Sequence, residues 1–230
     1  MSVSKKQSTY KMAELGILLA LVIVLQSLSG MGVVNICLCL VPITLGAMVL
    51  GPKYGAALGF AFGLVAIFWG LMGRDMFTYL LLQFNPVVTV LICIVKGSLA
   101  GLVPALFYKL IKKREFKGAG IVAAVVAGVS APVVNTGIFA IGSMIIKNDV
   151  VSVCNELGLD TSGNFIALLF LTLIGINFFF ELLINVVFSP ALNRITLVLE
   201  KQTGIAAKQS TANEEKSTEE EKKADQVDEK

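Results

Sequence analysis

The sequence predicts an all-α integral membrane protein with six transmembrane helices and both termini in the cytoplasm. Hydrophobic residues make up 56% of the 230 positions, charged residues make up only 15%, and the mean hydropathy is +0.81, whereas soluble domains contain about 25% charged residues. Several apolar runs have a length of about 20 residues, which is what a helix needs to cross the hydrocarbon layer. Lysine and arginine collect at alternate ends of these runs, which predicts an orientation.

Six apolar runs are candidate spans. In chain order they are Met12–Leu28, Val33–Leu50, Tyr54–Met72, Pro86–Tyr108, Gly118–Ile146 and Phe165–Leu192. The first run is longer than the apolar part of a typical cleavable signal, so we expect it to remain in the protein. The second and fifth contain Pro42 and Pro132. We expect both to be irregular, because proline removes a backbone donor and an unpaired carbonyl is costly in lipid unless it faces protein or a cavity.

Basic residues near the ends of the runs predict which side each loop faces. One side would carry eleven of them and the other only Arg74 and Lys147. The eleven are Lys5, Lys6, Lys11, Lys53, Lys109, Lys112, Lys113, Arg114, Lys117, Arg194 and Lys201. Because cytoplasmic loops carry the excess of basic residues, both termini are expected in the cytoplasm, and the loops near 29–32, 73–85 and 147–164 outside. The chain would then be a multi-pass protein of the cell membrane.

The chain ends in a charged segment, residues 208–230, with eight acidic residues, five lysines and no aromatic residue. This composition cannot bury enough apolar surface to offset the entropy of ordering the segment. We therefore expect a disordered cytoplasmic tail after a six-helix membrane domain of residues 1–207.

Small residues recur at four-residue spacing, which lets helix backbones approach closely in lipid. The third and fourth runs contain glycines at this spacing: Gly55, Gly59, Gly63, Gly97 and Gly101. We interpret them as packing within the bundle, with contact to a separate membrane subunit as the alternative. Gly16 and Ala20 lie among large aliphatic residues of the first run, and we expect that face to meet a partner.

Two ionisable side chains lie near the middle of apolar runs, Lys96 in the fourth and Glu181 in the sixth. Ionisable residues inside a span are costly and indicate a function and a nearby partner. One hypothesis is that the two neutralise each other and fix helix packing. The other is that one of them also reaches a ligand, with Lys96 as a point charge for an anionic group. Asn177 and Asn185 lie four residues on either side of Glu181, so all three share one helix face.

Further polar residues lie nearer the expected outer side. They are Asn35, Gln83, Asn85, Asn135 and Thr136. They either cap broken helix ends or hydrogen-bond to a small polar solute, and both interpretations stay open. Together with Arg74, Lys96, Asn177 and Glu181 they form the predicted substrate-binding set.

Neither a catalytic centre nor a metal or cofactor site is predicted. The chain contains no histidine, and its four cysteines lack C-x-x-C spacing, so a metal site has little support. Three of the cysteines lie in apolar runs, where cysteine behaves as a small hydrophobe. The sequence contains no nucleotide-binding or hydrolase motif. Membrane lipid is the expected surrounding, and no nucleic-acid partner is expected.

Four stretches resemble the substrate-binding S components of energy-coupling factor (ECF) vitamin transporters, over about residues 10–200. They are AELGILLALVIVL, VPITLGAMVLGPKYGAALGFAFGL, VKGSLAGLVPALFYKLIKK and GINFFFELLINVVFSPAL. The second is similar to the family's turn into its third helix. The fourth is similar to the family's helix with an Asn-x-x-x-Glu pattern followed by Pro-Ala.

The resemblance implies a six-helix fold without an ATP site that holds a vitamin in an outward-facing pocket. It also implies docking through the first three helices onto a membrane coupling subunit, which two ATPases drive with ATP. The family's Ala-x-x-x-Ala pattern on helix one corresponds to Gly16 and Ala20, with Ala13 one turn away. Glycine replaces the first alanine of the pattern, and because glycine is smaller we expect close approach to survive.

The substrate is a narrower question. Trp69 is the only tryptophan, whereas a thiamine binder is expected to have tryptophan-rich outer loops. The pattern most resembles the broad subgroup that includes pantothenate carriers, and Lys96 and Arg74 would suit a carboxylate such as pantothenate. Riboflavin and other vitamins remain open. The alternative class is a self-sufficient secondary transporter or channel in which Lys96 and Glu181 relay protons, although no inverted repeat between the two halves is detectable.

Overall fold

The computed structural model describes residues 3–28, 37–114, 116–199 and 201, and these residues form helices joined by short turns. The helices are α1 (Val3–Leu28), α2 (Leu40–Leu50), α3 (Pro52–Leu71), α4 (Met76–Phe84), α5 (Pro86–Lys112), α6 (Ala119–Ile145), α7 (Lys147–Glu156) and α8 (Phe165–Leu199). The all-α prediction is confirmed for these residues. The expected tail and Asn35 lie outside the described residues.

Five helices are long and apolar enough to cross a membrane, namely α1 from Thr9 onward, α3, α5, α6 and α8. The expected second span is not one of them. Its described part consists of the non-helical residues 37–39 followed by α2, which has only 11 residues, and this agrees with the expectation of an irregular segment. A sixth complete span is not shown, because residues 33–36 lie outside the described residues. Pro42 lies in the first turn of α2, where the missing N–H has no partner within a helix in any case.

The closest helix contact in the bundle is between α3 and α5. A Cβ atom built on Gly59 would collide with the backbone carbonyl of Gly97, and the reverse also holds. Gly55 and Gly101 form the same kind of pair one turn away, and a Cβ on Gly63 would lie 2.5 Å from a carbonyl oxygen of α5. The interpretation of these glycines as packing within the bundle is confirmed.

α8 contains an irregular segment that was not expected, whereas the irregularity expected at Pro132 is absent. α6 continues as one helix through this proline, which frees the carbonyl of Gly128 four residues earlier. A Cβ on Gly128 would lie 3.0 Å from the backbone oxygen of Asn185, so α8 and not lipid covers this point. In α8, Leu168–Ile174 form a π-helical segment, which the sequence did not predict. Such segments are frequent at functional sites, and this one precedes the polar residues of α8.

Two of the expected outer loops contain short helices, α4 within 73–85 and α7 within 147–164, and these helices pack against each other. Asp75 caps α4 by accepting a hydrogen bond from the backbone N–H of Thr78 at 3.3 Å. Asn85 caps α5, and its side-chain Nδ2 donates to Asp149 of α7 at 3.0 Å. Hydrogen bonds of helix ends therefore hold α4, α5 and α7 together at this end of the bundle.

α1 is the least buried span, with 11% of its apolar window buried against 44% for α6. It packs on α2 and α3 through Leu18 and Val22, which are 8% and 0% exposed. The opposite face of α1 contacts no other described helix closely, since a Cβ on Gly16 would have nothing within 4 Å.

Candidate functional site

Lys96 projects from α5 between aromatic rings of two neighbouring helices. Its Nζ lies 5.5 Å from the ring centroid of Phe139 on α6 and 6.0 Å from that of Phe62 on α3. Both distances are within the roughly 6 Å over which a ring face attracts a cation. Because helices on both sides supply the rings, the ammonium faces the bundle interior. The residue as a whole is only partly buried.

Glu181 of α8 brings a carboxylate to the same interior region, and its side chain is 5% exposed. The carboxylate faces the side chain of Asn135 on α6 and the main-chain N–H of Cys37. Asn135 is 7% exposed. Glu181 Oε2 and Asn135 Oδ1 are both buried without a hydrogen-bond donor among the described residues.

Lys96 and Glu181 lie within electrostatic range of each other. This agrees with the prediction that α5 and α8 place them at similar depth. The expected ion pair, however, is not closed through Oε2 of Glu181, which has no donor, while the ammonium of Lys96 contacts two rings. The site therefore contains opposite charges that attract each other while an oxygen of the carboxylate stays free of hydrogen bonds within the described residues.

The segment before α2 reaches the same region, and sequence reasoning missed it. Cys39 Sγ lies 3.1 Å and Cys37 Sγ 3.6 Å from Oε1 of Gln26 on α1, and both thiols donate to this oxygen. Gln26 is a polar residue near the end of an apolar run, which was an available signal. No sequence signal distinguishes Phe62 and Phe139 from other apolar core residues. Among the described residues, no three histidine, cysteine or acidic side chains are grouped to hold a metal ion.

The interior face of α8 continues beyond Glu181 as a row of buried polar side chains. They are Asn185, Ser189, Asn193 and Thr196. Three of them donate to a backbone carbonyl four residues earlier, at 2.6 to 2.9 Å. Asn177, one turn before Glu181, is half-buried and donates to the carbonyl of Leu173 at 3.4 Å. The prediction that this stripe faces the interior is confirmed from Glu181 onward.

The remaining polar residues of the predicted set are not brought together. Asn85 caps α5, so the capping interpretation is confirmed for this residue. Gln83 is exposed on α4, and Thr136 is half-buried beside Asn135 on α6. Asn35 lies outside the described residues. A contact of any of these side chains with a substrate remains a prediction.

Arg74 lies at the end of the bundle that holds α4. Its guanidinium carbon is 4.3 Å from the ring centroid of Trp69, and it donates a hydrogen bond to the carbonyl of Ser27 at 3.2 Å. Ser27 is in the last turn of α1, where a cation is favoured by the helix dipole. Arg74 therefore joins the ends of α1 and α3 and keeps an exposed positive charge at the rim.

The predicted docking residues Ala13, Gly16 and Ala20 are all exposed on α1. At about 100° per residue, they lie on the side of the helix opposite the buried Leu18 and Val22. Large aliphatic side chains around them are exposed as well, for example Ile17 at 70%. The described residues thus leave a small-residue face of α1 uncovered.

These features define the class of protein: an α-helical membrane protein whose bundle encloses a charged and polar cluster. The family model of the substrate-specific component of ECF transporters matches residues 10–192. The chain therefore belongs to this family, which is a family of transporter components and not of enzymes. Searches among curated proteins and among solved structures found no match to the chain.

Proposed function

We propose that the chain captures a carboxylate-bearing vitamin, specifically pantothenate, from the outer side of the cell membrane. It would deliver the vitamin through a membrane coupling subunit driven by two ATPases, which use ATP that this chain does not bind itself. Membership of the family supports the role of substrate-specific component. The identity of the substrate and the details of the partners are our proposal.

The observation that carries the proposal is the position of Lys96. Its ammonium faces the bundle interior and lies near the rings of Phe62 and Phe139. A cation at an interior site attracts a ligand carboxylate far more strongly than it would in water, because the local dielectric is low. The two rings supply the apolar walls that line most small-molecule sites.

Arg74 also favours a negatively charged ligand. It is exposed at the rim beside Trp69, and an exposed positive charge at the mouth of a site raises the local concentration of anions. A neutral vitamin such as riboflavin would gain nothing from either cation.

The uncovered face of α1 supports the proposal of a membrane coupling subunit as partner. Ala13, Gly16 and Ala20 lie at its centre, and small residues let a second membrane helix approach closely. A partner helix on this face would leave the interior site around Lys96 untouched. Capture and delivery would thus use different surfaces of the chain.

The first experiment identifies the ligand. Small molecules released from the detergent-purified chain are analysed by mass spectrometry, and binding of radiolabelled pantothenate is measured on the same preparation. We expect the wild-type chain to bind pantothenate, Lys96→Met to abolish binding, and Lys109→Met, a matched exposed lysine on the same helix, to bind as the wild type does. Release of riboflavin, with no binding of pantothenate, would contradict the proposal.

The second experiment tests the need for partners. The chain is reconstituted in vesicles alone and together with the coupling subunit and both ATPases. Uptake should require the partners and ATP. Uptake by the chain alone, driven by a proton gradient, would favour the secondary transporter instead.

A further inference from the structure

We infer that the substrate carries, besides its acidic group, a hydrogen-bond donor at its other end, and that Glu181 and Asn135 accept from this donor. The substrate class is then a small acid with a hydroxyl or amide N–H remote from the carboxylate. The inference rests on the proposed function and adds the chemistry of the second half of the ligand.

The hydrogen-bond donors and acceptors around the Glu181 carboxylate are unequal in number. The donors that face its carboxylate are the Asn135 side chain and the main-chain N–H of Cys37. The thiols of Cys37 and Cys39 donate elsewhere, to Gln26. Glu181 Oε2 and Asn135 Oδ1 nevertheless have no donor among the residues that the structure describes. Acceptors therefore exceed donors in this part of the described site.

Buried acceptors without donors raise the free energy of the folded protein. Buried polar atoms in folded proteins almost always have a hydrogen-bond partner, and a buried acceptor without one costs its full desolvation. Here two such atoms belong to side chains that face each other. A donor on a ligand would satisfy at least one of these oxygens, since a carboxylate and an amide oxygen each have free lone pairs.

The positions of Lys96 and Glu181 determine the orientation in which the ligand binds. Lys96 and Glu181 lie within electrostatic range but on different helices, α5 and α8. A ligand carboxylate is attracted by Lys96 and repelled by Glu181, so it binds at the Lys96 end. The donor then lies toward Glu181 and Asn135. The two charges select the orientation as well as the class of ligand.

Asn193 provides a matched control within the same helix. It is 6% exposed, and its Oδ1 is also buried with no donor in the described part of the chain. It lies twelve residues beyond Glu181, or roughly 18 Å along the helix axis, where its Oδ1 would lie 3.1 Å from a Cβ on Gly120 of α6. A general effect of unpaired acceptors on the protein would appear at both residues, whereas an effect on the ligand would appear only at Glu181.

The experiment uses the full-length chain in detergent and pantothenate as the probe. Affinities are measured for pantothenate and for analogues in which a hydroxyl is replaced by its methyl ether or the amide N–H by N-methyl. At least one analogue should bind the wild-type chain about tenfold to a hundredfold more weakly, as expected when a buried acceptor loses its donor. This part needs no variant and decides the matter even where a variant fails to fold.

The variants then locate the contact. Glu181→Gln replaces one acceptor oxygen by a donor, so pantothenate should bind about tenfold more weakly and the difference between pantothenate and the sensitive analogue should shrink. Asn193→Leu should keep the wild-type difference. Binding that depends on Lys96 while all analogues bind as tightly as pantothenate would overturn this inference and leave the proposed function standing. Absence of any pantothenate binding to the wild-type chain would overturn both.

Discussion

Lys96 Nζ lies 5.5 Å from the centre of the Phe139 ring, and this contact joins α5 to α6 inside the bundle. A ring face attracts the ammonium without accepting a conventional hydrogen bond from it, so the N–H donors of the lysine remain able to bind an anionic ligand. A hydrogen-bonded ion pair with Glu181 would have engaged some of those donors. The ring contact thus stabilises the charge and leaves it available.

The electrostatic relation between Lys96 and Glu181 predicts a coupling free energy. Lys96→Met and Glu181→Gln each remove one charge and leave the other without its attraction. We expect the double variant to be less destabilised than the sum of the single variants by about 1 kcal/mol, within the range for coupled neighbours. Denaturant unfolding in detergent measures it. Strictly additive losses would show that the two residues do not interact.

The glycine contacts between α3 and α5 predict a sharp difference between glycines. Gly97→Ala places a methyl group against the backbone of Gly59, and such overpacking costs about 1 to 3 kcal/mol. Gly16→Ala has nothing within 4 Å and should be neutral or stabilising by about 0.5 to 1 kcal/mol, as expected for glycine in a helix. Thermal unfolding of both variants checks this. Equal melting temperatures would mean that the helices separate easily.

Asn85 predicts a structural effect at the end of the bundle that holds α4 and α7. Asn85→Ala removes the cap of α5 and the hydrogen bond to Asp149, which together should cost about 1 to 3 kcal/mol. The control is Asn148→Ala, an exposed residue beside Asp149 on α7, which should change the free energy of unfolding little. If Asn85→Ala instead lowers vitamin affinity at unchanged stability, Asn85 is a substrate contact.

The uncovered face of α1 predicts a separation of binding from uptake. Gly16→Leu combined with Ala20→Leu adds bulk where a partner helix should approach, so uptake in the complete transporter should be lost while vitamin binding by the isolated chain stays near the wild-type value. Leu21→Phe adds bulk about 100° away around the helix and should keep uptake. Parallel loss of binding and uptake in the double variant would show that this face does not dock the coupling subunit.

The sequence predicted those parts of the fold that depend on local pattern. Apolar length located five spans, glycine spacing indicated close packing within the bundle, and the fourth predicted run begins at Pro86 as α5 does. The missing parts depend on tertiary packing. α6 continues through Pro132 where Gly128, four residues earlier, packs against α8, and no local signal marks the π segment Leu168–Ile174.

The candidate site was predicted in its charges and missed in its neighbours. Lys96 and Glu181 stand out because charged residues are rare inside spans. Asn135 was recognised as a polar residue but was expected nearer the outer side, whereas its side chain lies beside Glu181. Phe62 and Phe139 look like any core aromatic residue in the sequence. Only the arrangement of α3, α5 and α6 shows that their rings flank the ammonium.

The backbone contact between Gly59 and Gly97 has a mechanical consequence for recognition. Helices that touch through their backbones have no side chains between them to reorient, so α3 and α5 can shift relative to each other only by separating. Phe62 lies on α3 and Lys96 on α5, next to the contact between Gly59 and Gly97. These two residues therefore form the more rigid half of the site. Phe139, Asn135 and Glu181 lie on α6 and α8. Accommodation of ligands of different length must come from that second half, while the point at which the acidic group is held stays fixed.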